Sequence, residues 1–299
     1  MGQDLITIND YLFFIMRQSC QIIFSWILRL IVRLIFTFTG RGGGKLAPLL
    51  PKGQKFLVKG YGGRYKFNVD TTYPMEGSVW LCGVYDVVTT KFLRRVIRAD
   101  DVFLDVGANC GILTLVAASA IERGKIYAFE PGKAIRDRLE ANLALNPHLQ
   151  EIVKVVPLGL GANKSQLFYH EDANYRGNGA LQLSDGIAVD VISLDEWVLL
   201  ENIAKIDLIK IDVEGMEYDV LLGGKAVLDK YHPLIYFETL PIFFQHKNYK
   251  IRTIYEFLAS LGYRMVSPIK PYAEIPFDGP YPANSVAIHT SHADRLPLL

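Results

Sequence analysis

Apolar and polar positions along this chain fall into three regimes. The first is an apolar run, Tyr11 to Phe38, interrupted at every fourth position by Arg17, Gln21, Ser25, Arg29 and Arg33. That spacing draws one slowly drifting polar stripe along a helix whose remaining surface is Phe, Ile, Leu, Val and Trp26. The second is FLVKGYGGRYKFNV, Phe56 to Val69, where Gly62-Gly63 between two strand-like runs predicts a β-hairpin. Between the two, Arg41-Gly42-Gly43-Gly44-Lys45 reads as a hinge. The third begins after a helical pattern at Val87 to Arg98, where short apolar strands alternate with helical stretches. Strands are expected near residues 102–106, 126–130, 153–157, 206–212, 233–238, 262–267 and 285–289, and helices near 112–122, 133–146, 193–201, 216–230 and 251–261. Such alternation predicts a mostly parallel sheet with helices on both faces. The link between the last two strands holds Pro268, Pro271, Pro276, Pro280 and Pro282 and leaves no room for a crossover helix. The last strand should therefore run antiparallel to its neighbour.

Candidate chemistry concentrates in that third regime. VFLDVGANCGILTLVAA, Val102 to Ala118, runs from an apolar strand through an aspartate and a glycine-bearing turn into an apolar helix, and the next strand ends in Glu130. This is the layout of a nucleoside-binding βαβ unit. Dinucleotide folds hold a pyrophosphate with G-x-G-x-x-G; here Gly107 and Gly111 flank Asn109, and Thr114 stands where the third glycine would fall. Asp105 at the strand tip would repel a pyrophosphate and suits a cationic cofactor such as S-adenosyl-L-methionine, with Glu130 placed to accept from a ribose diol. A second constellation, IDLIKIDVEGMEYDVLL at Ile206 to Leu222, puts Leu208, Lys210 and Asp212 on one side of a buried strand, with Glu214 and Gly215 in the following turn and Gly223-Gly224 as a helix stop. Ligands of open α/β sheets sit at the carboxyl ends of the strands, so Asp212 and Glu214 fall beside Asp105 if the two strands are neighbours. Glu238 ends the next strand at the same edge. Asp212, Glu214 and Glu238 are candidates to accept a hydroxyl proton, directly or through a bound divalent metal, with Lys210 orienting Asp212. A structural alternative is a buried Lys210–Asp212 pair with Glu214 capping the next helix. His246 is an alternative base, and His148, His170 and His232 rank below it.

The chain has 299 residues, 50% hydrophobic and 21% charged, with formal net charge +1. That is a globular composition with no basic tract after residue 60 to support a nucleic-acid partner. Cys20, Cys82 and Cys110 are far apart, with neither metal spacing nor a disulfide framework, which fits a reducing compartment.

DVGANCGILT, YAFEP, LEANLALN, VISLDEW, IDLIKIDVEGMEYDVLLGG, HPLIYFE and the later LGY resemble, in order and spacing over roughly residues 83–265, the FkbM-type methyltransferases. The resemblance implies an S-adenosylmethionine-dependent class I (Rossmann-like) α/β fold of seven strands, mostly parallel with the last antiparallel, preceded here by the apolar helix and the small β-hairpin. It implies O-methylation of a sugar or secondary-metabolite hydroxyl. Carried over, the cofactor set is Asp105, Gly107, Asn109, Gly111 and Glu130, with Tyr85 and Asn142, and the IDVEG element supplies Asp212 and Glu214. Gly83-Val84-Tyr85-Asp86 resembles the family's G-x-Y-E element, with Asp86 in place of Glu. The expected organisation is residues 1–50 as helix and hinge, 51–98 as hairpin and lead-in helix, and 99–292 as the methyltransferase domain. Two rivals are a membrane-anchored cofactor-binding scaffold without turnover and an N-methyltransferase. The latter commonly has Asn or Asp followed by Pro-Pro-aromatic, which IDVEG lacks.

The N-terminal helix lies outside the resemblance. A span must carry Arg29 or Arg33, each costing about 2.5–3.5 kcal/mol near the bilayer centre unless it snorkels. A signal peptide would need a charge-free core and a small-residue cleavage site. An in-plane helix puts arginines at the headgroups and its broad face among acyl chains. The favoured expectation is a cytoplasmic, membrane-associated chain, the helix in-plane rather than spanning, with a glycan or small molecule as acceptor. A helix packed on the protein or on a second copy is the remaining alternative.

Overall fold

The computed structural model describes residues 8–39, 43–60, 63–171, 179–182, 186–245 and 247–295. The chain forms two compact units, Met1–Tyr85 and Asp86–Leu299.

The first unit contains α1 (Ile8–Thr39), α2 (Gly43–Leu46), the antiparallel strands β1 (Lys55–Gly60) and β2 (Tyr65–Asp70), and α3 (Pro74–Cys82). The hairpin pairs from Lys55↔Asp70 to Gly60↔Tyr65 as its alternation predicts. The helix α3 was not foreseen: PMEGSVWLC is a short apolar run with no helical period, and tertiary burial of Val79, Trp80 and Leu81 decides its conformation. The middle of the polar stripe of α1 turns inward, while Arg17 and Arg33 stay exposed. Ser25 is buried and donates to Gln54 Oε1 at 2.5 Å, and the Arg29 guanidinium lies 3.7 Å from the centroid of Trp80, which stacks on Phe56. Arg29 is thus a protein contact, not the headgroup contact expected of it, because an aromatic face offers a partner inside the unit.

The second unit runs α4 (Val87–Val96), β3 (Val102–Val106), α5 (Ile112–Ala118), β4 (Lys125–Phe129), α6 (Lys133–Ala144), α7 (Pro147–Gln150), β5 (Val153–Val156), β6 (Gly159–Gly161), β7 (Ser165–Glu171), β8 (Gly179–Gln182), β9 (Ile187–Ser193), α8 (Leu194–Leu200), β10 (Leu208–Ile211), α9 (Glu217–Leu222), α10 (Lys225–Tyr231), β11 (Leu234–Glu238), α11 (Ile251–Ser260), β12 (Tyr263–Val266) and β13 (Asn284–His289). Seven strands form one sheet in the order β12-β13-β11-β10-β3-β4-β5. It is parallel except for β13, which pairs antiparallel with both β11 and β12, as the missing crossover helix predicted. A core of Leu104, Val106, Phe129, Trp197, Ile209, Ile211 and Phe237 packs against the helices.

Two features depart from the sequence reading. A second sheet, β6-β9-β7-β8, occupies a stretch where no strand was expected. SQLFYHE and IAVDVIS mix polar and apolar positions, and their strand character comes from non-local antiparallel pairing, Ser165↔Val191 to Tyr169↔Ile187. The helix expected over 216–230 is two, divided at the Gly223-Gly224 stop that the sequence itself marks. A Cβ on Gly223 would lie 2.0 Å from the Gly161 carbonyl oxygen, so the close approach of β6 fixes the break.

Candidate active site

The site is built from the carboxyl ends of β3 and β10, parallel neighbours with Lys210 opposite Asp105. Asp105 is fully buried. Its Oδ2 accepts from Thr114 Oγ1 at 2.6 Å and its Oδ1 stands 3.1 Å from Lys210 Nζ. Thr114, in place of a third glycine, is thereby a hydrogen-bond donor from α5 to the strand tip. Lys210, also buried, donates to the Gly107 carbonyl at 2.8 Å and lies 3.6 Å from Asp212 Oδ2. Burial works against the lysine's charge, but Asp105, Asp212 and Glu130 overcome it and hold its pKa above the ordinary lysine value.

The glycine turn packs directly on the second constellation. Gly107 has φ 77°, and a Cβ there would lie 2.0 Å from the Asp212 carbonyl oxygen. The Asp212 amide donates to Val106 at 3.1 Å, and the Gly107 and Ala108 amides share the Phe129 carbonyl at 3.1 and 2.9 Å. Asn109 takes φ 53°, and its Oδ1 accepts from the Cys110 amide at 2.7 Å. Gly111 has φ 85° over Leu139 of α6. Glu130 is 4% exposed, with Oε2 accepting from the Asn109 amide and Oε1 from the Gly132 amide, each at 2.9 Å. Burial lifts its carboxyl to about 7, opposed by those amides and by Lys210. Asn142 is buried and donates to the Cys110 carbonyl at 2.9 Å, bracing the turn from α6. Tyr85 ends the first unit. Asp86 takes φ 38° and caps α4, accepting from the Val88 and Thr89 amides at 3.1 Å.

Four carboxylates gather beyond β10. Asp212 keeps 44% of its side chain exposed, and Glu214 takes φ 53° in the turn. Glu217, fully buried at the start of α9, was missed by sequence reasoning. Its Oε1 accepts from the Val213 and Gly215 amides at 3.1 and 3.3 Å, so it ties down the turn that carries Asp212 and Glu214. The available signal was an acidic residue in the first turn of a helix that follows a glycine. Tyr249 closes the same turn, donating to the Gly215 carbonyl at 2.6 Å. Burial lifts the Glu217 carboxyl to about 7, with repulsion from Asp212 added. Glu238 has a buried Oε2 without a hydrogen-bond partner. Burial first, then repulsion from Asp212, Glu217 and Glu214, holds its pKa far above the usual carboxyl value.

The alternative metal set is not assembled: among the described residues no three His, Cys, Asp or Glu side chains are grouped to hold a metal ion. His246 lies outside the described residues.

A parallel α/β sheet with one reversed strand and a glycine turn at its centre defines a Rossmann-like nucleoside-binding fold. Residues 105–265 match the Methyltransferase FkbM domain. The chain belongs to the FkbM methyltransferase family. It is 30% identical over 174 residues to hexuronic acid methyltransferase AglP of Haloferax volcanii, an alignment covering 56% of this chain and 66% of that protein. It is 24% identical over 152 residues to the 2-O-methyltransferase NoeI of Sinorhizobium fredii, covering 44% of this chain and 61% of that protein. The chain thus spans less than two thirds of either relative. The crystal structure of methyltransferase FkbM from Methylobacillus flagellatus superposes with TM-score 0.43 at 15% identity, covering 64% of this chain and 44% of that one.

Proposed function

We propose that this protein is an S-adenosylmethionine-dependent O-methyltransferase acting on a hydroxyl of a sugar, glycan, glycolipid or secondary metabolite. The observation that carries the reading is the row Asp105–Lys210–Asp212: a buried lysine neutralises the carboxylate under the glycine turn and holds a second, exposed carboxylate at the next strand end. The donor set fits the cofactor. Asp212 and Glu214 make the rim acidic, which disfavours a pyrophosphate and favours an ammonium or sulfonium. A Cβ at Gly107 or Gly111 would fill the turn against Asp212 or Leu139. In this reading Gly107, Asn109 and Gly111 approach the cofactor with their backbone, and Glu130 receives the ribose hydroxyls. Asp105 and Asn142 act from beneath the turn.

The cofactor supplies an electrophilic methyl group on a sulfonium. As the acceptor oxygen forms its bond to carbon, the carbon–sulfur bond breaks and the hydroxyl proton must leave. Asp212 is exposed where that proton is lost, and Lys210 sets its direction. Glu214 shares the rim as a second acceptor. Glu238 retains its own proton near neutrality, which suits it to donate a hydrogen bond to the acceptor. A sugar hydroxyl as acceptor is supported by the names of the two relatives, a hexuronic acid methyltransferase and a 2-O-methyltransferase.

The test pairs cofactor titration by calorimetry with transfer of a labelled methyl group into extracts of the source cell. Asp212→Asn should cut turnover by about 100-fold or more while leaving cofactor affinity within about twofold. Unchanged turnover would remove Asp212 from the reaction, and absence of cofactor binding by the unaltered protein would end the reading altogether.

A further inference from the structure

The first unit carries a surface that methyl transfer does not use. Along α1 the side facing the unit is polar or small at Gln21, Ser25 and Arg29, with Val32 also buried. The opposite side is apolar: Ile23, Ile27, Leu30, Ile31, Leu34 and Phe38 are each about half exposed or more. A helix docked on its own protein ordinarily does the reverse. Met16–Phe38 is 23 residues long and contains an 18-residue window of mean hydropathy 1.8, so length alone would permit a span.

The docking contacts exclude a span. They fall at the middle of the apolar stretch: Ser25 on Gln54, Trp26 at 4.6 Å from Trp80, and Arg29 on Trp80. If Met16–Phe38 crossed a bilayer, those contacts would carry Gln54, the Arg29 charge and the β1–β2 hairpin to the middle of the hydrocarbon. A two-stranded hairpin has two open edges of unpaired N–H and C=O groups, which hydrocarbon does not tolerate.

Charge indicates what lies against the apolar side. Residues 1–85 hold ten Lys and Arg against four Asp and Glu, a net +6, leaving the remaining residues at −5 of the chain's total of +1. Within the unit Lys59 and Lys66 stand directly opposite each other on the exposed face of the hairpin. A basic unit bearing an uncharged apolar helix face matches the acidic headgroups and acyl chains of one leaflet.

We infer that α1 is a monotopic anchor: Ser25 and Arg29 in the middle of its polar stripe fasten it to Gln54 and to α3, its apolar side is buried in one leaflet of a bilayer containing anionic lipid, and it does not cross. The inference is independent of the methyl-transfer reading, since lipid binding is measured without turnover.

Full-length protein is mixed with vesicles of phosphatidylcholine alone or with a quarter phosphatidylglycerol, then floated. It should float with the anionic vesicles, at least about fivefold less with neutral ones, and less as salt rises. Ile27→Glu with Ile31→Glu should abolish flotation with unchanged circular dichroism. Lys59→Gln with Lys66→Gln, on the hairpin surface, should weaken flotation without touching the helix. A monodisperse dimer that ignores both vesicle types would mean that a second copy covers the face, overturning the inference. In spheroplasts of an expressing bacterium, an N-terminal epitope should stay protected from added protease; cleavage would show that the helix crosses.

Discussion

Glu217→Gln tests whether the turn carrying Asp212 and Glu214 is held by a buried acid. The wild-type carboxyl is fully buried and lifted from 4.5 to about 7, burial being the main cause. Its folded pKa lies above its unfolded one, so the folded state binds the proton more tightly. The associated stability is whole below about pH 4.5 and is lost as pH rises through about 7. A shift of about 2.5 units at ~1.36 kcal/mol each gives about 3 kcal/mol lost by pH 8. Glutamine keeps the oxygen that accepts from Val213 and Gly215, and puts an uncharged amide where Oε2 has no partner. It also relieves the repulsion that Glu217 exerts on Glu238. Thermal or urea unfolding from pH 5 to 8.5 should therefore show the variant equal to or below wild type at pH 5 and above it at pH 8. The difference between the two pH slopes should be about 2–3 kcal/mol, or several degrees in Tm. Parallel pH profiles for the two proteins would refute the reasoning, because Glu217 would then carry no proton difference between folded and unfolded states.

Gly107→Ala forces a Cβ to within 2.0 Å of the Asp212 carbonyl at φ 77°, and should cost more than about 2 kcal/mol and abolish measurable cofactor binding; calorimetry and unfolding curves check both. Arg295 forms a buried fork, at 2.7 and 2.9 Å to Asp101 and 3.0 Å to Asp207, tying the end of the chain to the loops before β3 and β10. Arg295→Met leaves two buried carboxylates without that partner, and urea denaturation should show a loss of about 3–5 kcal/mol. Wild-type stability in that variant would mean the fork contributes nothing net.

The middle of the central sheet was legible because its strands are largely buried on both faces and so read as near-continuous apolar runs. VFLDV, KIYAF, LIKI and LIYFE announce themselves in this way, and the reversed last strand follows from a link too proline-rich to hold a helix. The glycine turn and the IDVEG turn were legible for a similar reason: positive φ and charge at a strand end leave few residue choices. The second sheet was not, since its strands are half polar and become strands through partners distant in sequence. Glu217 was not, because a glutamate in a helix's first turn looks like an exposed one until the fold buries it.

By itself, then, the sequence determined the order of the seven central strands and their main helices, the two turns and the polar stripe of α1, all of which are local patterns of side-chain size and polarity. Only the tertiary structure decided what those polar groups meet. It buried Asp105 against Lys210, left Asp212 exposed beside it, and turned Ser25 and Arg29 inward onto Gln54 and Trp80. The physical reason is that a buried charge or hydroxyl must find a partner, and the identity of that partner is set by which elements the fold makes neighbours.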